Sequence, residues 1–191
     1  MSSALEQQRA AILSQLLQSP DLTALTTWTT APVFTDGVLT TPGVPALDGE
    51  GNPKSSIIIV KKGDVGSAIQ KALASSGLSI SLFYSAFQDL EDGQAQPVFQ
   101  PVNFQIEVQE MVTNNQGSNG TGISALLAVE GVCRALKNWQ PVVEGYDVGY
   151  PIQIAKAGCV NITTEDMVKE GLDHWICHFA TKASIPARAT P

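Results

Sequence analysis

The chain has 191 residues, of which 43% are hydrophobic, and carries a formal net charge of −7 with only 11 Lys plus Arg. That length suits one domain with an extended arm, and the apolar content is enough to bury a core, which excludes a wholly disordered chain. The acidic balance and the scattering of the basic residues argue against binding duplex DNA or anionic lipid through the outer surface, and no run of about 18 apolar residues offers a membrane span.

The N-terminal stretch "MSSALEQQRAAILSQLLQ" lacks a basic region ahead of its apolar residues and reads as a helix, not as a signal peptide. Ser3 and Glu6 have capping-box spacing, Leu5, Ile12, Leu13, Leu16 and Leu17 share one face, and Ser19-Pro20 stops the helix. "DLTALTTW" adds a short second helix or turn. Residues 31–55 hold Pro32, Pro42, Pro45 and Pro53 together with four glycines, too much punctuation for a regular element. They read as a long loop with room for a short hairpin, projecting from the body, and loops of this length usually contact something.

A buried-type strand follows around Ile57 to Val60. Asp64 is placed to cap a helix that carries Val65, Ala68, Ile69, Ala72 and Leu73 on one side, and Gly77 to end it. "LSISLFYSAF" alternates Leu78, Ile80, Leu82 and Tyr84 with Ser79 and Ser81, a strand pattern. After the turn "QDLEDGQAQP" comes the cleanest strand in the chain. In it Val102, Phe104, Ile106 and Val108 face one way and Asn103, Gln105, Glu107 and Gln109 the other, with Pro101 at a strand start or edge. A glycine-rich loop leads to a helix with Leu126, Val129, Val132, Cys133 and Leu136 on one face. "YPIQIAKAGCVNI" and "LDHWICHFATKAS" are two closing strands joined by the acidic turn "TTEDMVKEG", and a loose tail occupies 184–191. This order predicts a single α+β domain over 1–191: a mostly antiparallel sheet with two main helices on one face, an N-terminal helix and an extended arm at 30–55.

Four patterns invite a chemical reading. Gly117 to Ser124, "GSNGTGIS", keeps the glycine spacing and the final Ser of a phosphate-binding loop, but Ile123 replaces the lysine that would neutralise phosphate. It reads as a strand-to-helix corner. "HWICH" imitates a zinc-protease helix, yet Trp175 stands where the catalytic Glu belongs. On a strand His174 and His178 would share a face about 13 Å apart, too far for one metal. Cys133, Cys159 and Cys177 are odd in number and widely spaced, which disfavours a secreted disulfide framework, and no C-x₂-C pair marks a zinc site. They read as buried thiols in a reducing cytoplasm, Cys177 as a core residue, and the two N-x-[ST] matches at Asn119 and Asn161 are then coincidences. Asp89, Glu91 and Asp92, and Glu165 with Asp166, sit in turns and read as solvated surface. No catalytic, cofactor or metal residue is expected.

The second half of the chain carries a resemblance. "VNFQIEVQEMVTNNQG", then "GTG", then an amphipathic helix ending in "LKNWQP", followed by two strands, resembles the tail-terminator proteins of tailed bacteriophages (tail-completion, minor tail protein U-like) and related neck proteins. The matching residues are Glu107 and Glu110, Asn114 and Asn115, Gly120 to Gly122, Leu136 and Trp139. The resemblance implies a ring-forming structural virion protein, usually hexameric, that caps the completed tail tube and joins it to neck or head-completion proteins. Its partners would be further copies of itself, the tail-tube protein and a neck protein. Genomic DNA would pass through the lumen without sequence-specific binding, and assembly would occur in the host bacterial cytoplasm. Val38, Leu39, Val44 and Leu47 of the arm are the candidate inter-subunit residues. A tail-tube or head–tail connector protein is the alternative of the same class. Outside it stand a small α+β enzyme using one of the cysteines with His174 or His178, and an anion-binding module using Gly117 to Gly122.

Overall fold

The computed structural model describes residues 4–36, 38–51, 53–58, 65–87, 99–141 and 150–184. Helix α1 (Ala4–Leu17) ends just before Ser19-Pro20, and Ile12, Leu13, Leu16 and Leu17 are buried along one face. The Ser3 cap and the Leu5 side chain lie outside the described residues. A single 3-10 turn, Thr23–Leu25, follows and buries Leu25.

The arm is more regular than a loop. Strand β1 (Trp28–Thr30) pairs with β4 (Val44–Pro45), and between them β2 (Val33–Thr35) pairs with β3 (Val38–Thr41), both antiparallel, so one hairpin sits inside another. Its base is tied to the body. Ser56 N–H donates to the Leu25 carbonyl at 2.9 Å, and Gly43 N–H donates to Gln18 Oε1 at 2.9 Å.

The strand expected at Ile57 to Val60 is reduced, among the described residues, to one parallel bridge between Ile57 and Ile80. The apolar run does bury, with Ile57 and Ile58 at 1% and 6% exposure, but the described backbone pairs for only this one step. Residues 59–60 and Asp64 lie outside the described residues. Helix α2 (Val65–Ser76) buries Ala72 and Leu73, and Gly77 follows it.

Four antiparallel strands make the main sheet, in the order β5 (Leu78–Phe87), β6 (Phe99–Met111), β8 (Leu172–Ser184) and β7 (Gln153–Asn161). The period-2 pattern of β6 is realised in full: Val102, Phe104, Ile106 and Val108 are all fully buried. Phe104 lies opposite Phe179 of β8, their rings stacked at 5.3 Å, and Ile106 lies opposite Cys177. Two details depart from the sequence reading. Ser79 and Ser81 are as buried as their apolar neighbours. Pro101 sits neither at the start of its strand nor in an edge strand, because β6 is interior and begins at Phe99. Among the described residues Pro101 pairs with Lys182 of β8, and the described pairing of β6 with β5 begins at Val102.

Past β6, the single turn α3 (Val112–Asn115) and the glycine corner lead to α4 (Ala125–Leu136). The buried stripe of α4 is Ala125, Ala128, Val129, Val132, Ala135 and Leu136. Leu126, expected on it, is 49% exposed. Small residues take the inward positions because a helix lying closely on a sheet leaves room for methyl groups, not for long side chains. Helices α1 and α4 pack on each other and on β8. With the inward face of the sheet they enclose one core, which Trp139 and Ile152 close. The acidic turn contains a short helix, α5 (Glu165–Lys169), capped by Thr164.

Candidate functional site

The glycine corner is organised by residues that precede it. Glu110 continues the inward face of β6 beyond Val108 and is 5% exposed. Its carboxylate accepts the Asn115 side-chain amide at 2.7 Å and the Ala125 backbone N–H at 2.6 Å. The anion at the N-terminus of α4 is therefore supplied by the chain itself, where the helix dipole favours it. Ser124, in the position of the phosphate-loop Ser, is the N-cap and accepts from Leu127 N–H. Asn115 also accepts from the Thr121 hydroxyl at 2.6 Å and donates to the Ile123 carbonyl at 2.9 Å. Gly120 is required by space, since a Cβ there would run into the Asn115 carbonyl. This network explains the motif as a corner built around a buried carboxylate. The outer side of the corner borders a cleft of about 730 Å³ between α2 and the base of the arm, lined by Lys54, Ser56, Lys71, Ser76 and Thr121. Lys71 there already pairs with Glu50 at 3.0 Å.

His174 and His178 lie on β8 and face away from the core, beside the polar face of β6 formed by Gln105, Glu107 and Gln109. His174 Nε2 comes within 3.3 Å of Glu107 Oε2, without the alignment of a hydrogen bond. Strand alternation places Trp175, Cys177 and Phe179 on the opposite face, so the sheet stands between the imidazoles and the Cys177 thiol. Of the acidic residues, Asp89, Glu91 and Asp92 lie outside the described residues, while Glu165 and Asp166 are exposed on α5 and Asp166 pairs with Lys169 at 2.9 Å.

The three cysteines, 26 and 18 residues apart in sequence, converge. Cys133 comes from α4, Cys159 from β7 and Cys177 from β8, and their three Sγ atoms lie within 4.8 Å of one another. Cys133 and Cys159 are 3.4 Å apart, and no disulfide joins any of the three. An irregularity in β7 makes this possible. Ile154 pairs with Phe179 and Cys159 with Cys177, so Ala155, Lys156, Ala157 and Gly158 oppose His178 alone. The bulge, in which Gly158 has φ +67°, returns Cys159 to the core-facing side next to Cys177. The thiols act on one another. Hydrogen bonds from Cys159 and then Cys177 hold Cys133 well below the usual thiol range, with help from the charges of Arg134 and Lys137. Contact with Cys133 raises both partners, and burial adds to the effect.

The arm residues divide. Val38, Val44 and Leu47 are 66%, 54% and 57% exposed, joined by Val33 at 51%, whereas Leu39 is only half-buried. Exposed apolar residues also gather around β7, Ile154 and Val160 on opposite faces of the sheet. Tyr150, Ile154, Val160 and Ile162, on and beside the sheet-edge strand β7, are each 36–43% exposed.

No protein-family model matches the chain, and no curated protein matches it. Sequence reasoning missed two features. Glu110 was legible as a carboxylate in the next inward position of an apolar stripe. The thiol cluster had no local signal, because its cysteines come from three elements and depend on the β7 bulge.

Proposed function

We propose that the protein is a structural virion protein of tailed bacteriophages that caps the tail tube and joins it to neck proteins as an oligomeric, six-fold ring. The observation that carries this reading is the presence of two different exposed apolar surfaces on one chain, the arm and the β7 edge. A patch that docks on a different patch of the next copy is a heterologous contact, and repeated through a closing rotation it produces a ring. Exposed apolar groups of this kind mark surfaces that bury on association. The broken ladder of β7 limits strand addition there, so the contact is made by side chains packing on the edge. The net charge of −7 suits a lumen through which DNA slides without being held. The resemblance of the β6–α4 region to tail terminators supplies the biological setting, with the tail-tube and neck proteins as neighbours.

A mixing experiment tests the geometry. Val38→Asp disables the arm and Val160→Asp the edge, and each alone should give monomers by light scattering. Mixed in equal amounts they keep one intact arm and one intact edge between them, which permits pairs and no larger ring. Rings in either variant alone would refute the arm-to-edge contact.

A further inference from the structure

We propose that Cys133, Cys159 and Cys177 form a binding site for a thiophilic d¹⁰ metal ion, with zinc as its representative, that clips α4 to the β7–β8 edge of the sheet. The argument is geometric. A zinc ion with Zn–S bonds of about 2.3 Å holds its thiolates about 3.8 Å apart in a tetrahedral site and about 4.0 Å apart in a planar one. The three Sγ atoms all lie within 4.8 Å of one another and Cys133 and Cys159 are 3.4 Å apart, a spread that brackets the required spacing. Small movements of the three side chains bring all three to bonding distance. Cys177 is fully buried and fixes the floor of the site, while Cys133 and Cys159 are partly exposed and give the ion a way in.

The donor set selects the ligand. Three sulfurs and no oxygen favour soft or borderline ions over calcium or magnesium. His174 and His178 point away on the other sheet face, and among the described residues no further Cys, His, Asp or Glu joins the group. The fourth position therefore belongs to solvent or an added ligand. Binding replaces the S–H protons with one metal ion, each proton passing to buffer, and leaves a Zn(Cys)₃ unit of charge −1 beside Arg134 and Lys137. No redox step is involved. The β7 bulge, otherwise a costly interruption of an edge strand, is the feature that aims Cys159 into the site.

The test uses the full chain, reduced and held free of oxygen. Titration with zinc against a chromogenic competitor, and with cadmium to read the thiolate-to-metal charge-transfer band, should each saturate at one ion per chain with release of protons. The thermal midpoint should rise as zinc is added. Cys133→Ser and Cys159→Ser, at the half-exposed positions, should remain folded and bind zinc more weakly by more than the roughly 10–100-fold that loss of an outer hydrogen-bond partner costs. A folded parent protein that develops no charge-transfer band would overturn the proposal. So would binding that is unchanged in both serine variants, or a Cys133–Cys159 disulfide that re-forms in a glutathione buffer in preference to holding zinc.

Discussion

The helix–sheet body and the arm use apolar residues in opposite ways. In the body, Ile12, Leu16, Phe104, Ile106, Val132 and Phe179 are completely enclosed, each by neighbours from other elements. In the arm, Val33, Val38 and Val44 stand more than half exposed on two small sheets of two strands each, and Leu47, just past β4, is equally exposed. A two-stranded ribbon cannot bury its own apolar side chains. The body is thus stabilised by contacts within the chain, whereas the arm presents side chains whose favourable burial requires another surface. Substitutions in the two regions should differ in what they damage.

The largest effect is expected at Phe104. Replacement by Ala removes the ring stacked on Phe179 and should cost about 3–5 kcal/mol in denaturant unfolding. Val38→Asp in the arm should stay within about 0.5 kcal/mol of the parent in the same measurement while abolishing assembly. Equal losses of stability at the two sites would erase the contrast. Next comes Glu110→Ala, which leaves the Asn115 amide and the Ala125 N–H without their acceptor and should cost about 1–3 kcal/mol. Gly120→Ala, forced against the Asn115 carbonyl, should cost about 1–3 kcal/mol by overpacking, without any change in phosphate binding.

The smallest effect concerns pH. Burial alone would raise the Asp173 carboxyl, but hydrogen bonds from Thr163, Trp175 and Asn161 outweigh it and hold it below the usual range. A depressed carboxyl stabilises the fold fully above its unfolded value of about 3.9, and that contribution disappears as pH falls through the folded value. Asp173→Asn should therefore flatten the acid limb of the stability profile below about pH 4. An acid limb identical to the parent's would show that the bonds at this site contribute nothing.

The elements were legible where one physical signal dominated. Strand β6 follows from strict alternation, α1 from its apolar face and the Ser19-Pro20 stop, and the closing strands from their β-branched and aromatic runs. The errors came where tertiary context chose between equivalent local options. Leu126 looked like a core residue because it is large and apolar, but contact between α4 and the sheet selects Ala125 and Ala128 for the inward face. Pro101 suggested an edge because its cost depends on which neighbour strand reaches it. The missing lysine made the glycine stretch read as a strand-to-helix corner, but Glu110, which fills the helix N-terminus, was not foreseen. The thiol cluster could not be read, since Cys133, Cys159 and Cys177 meet only after the sheet order and the β7 bulge are known.

The central claim is that arm and edge belong to an assembly interface, and the mass of the purified protein tests it most directly. Light scattering over a range of concentrations, with negative-stain imaging of the same peak and a parallel sample containing phage tail tubes, gives the answer. The account predicts closed rings, most tellingly of six copies, free or seated at the tube end, that disappear in Val38→Asp. A 20.2 kDa species at every concentration, unaltered by tail tubes and by the arm substitution, would contradict it.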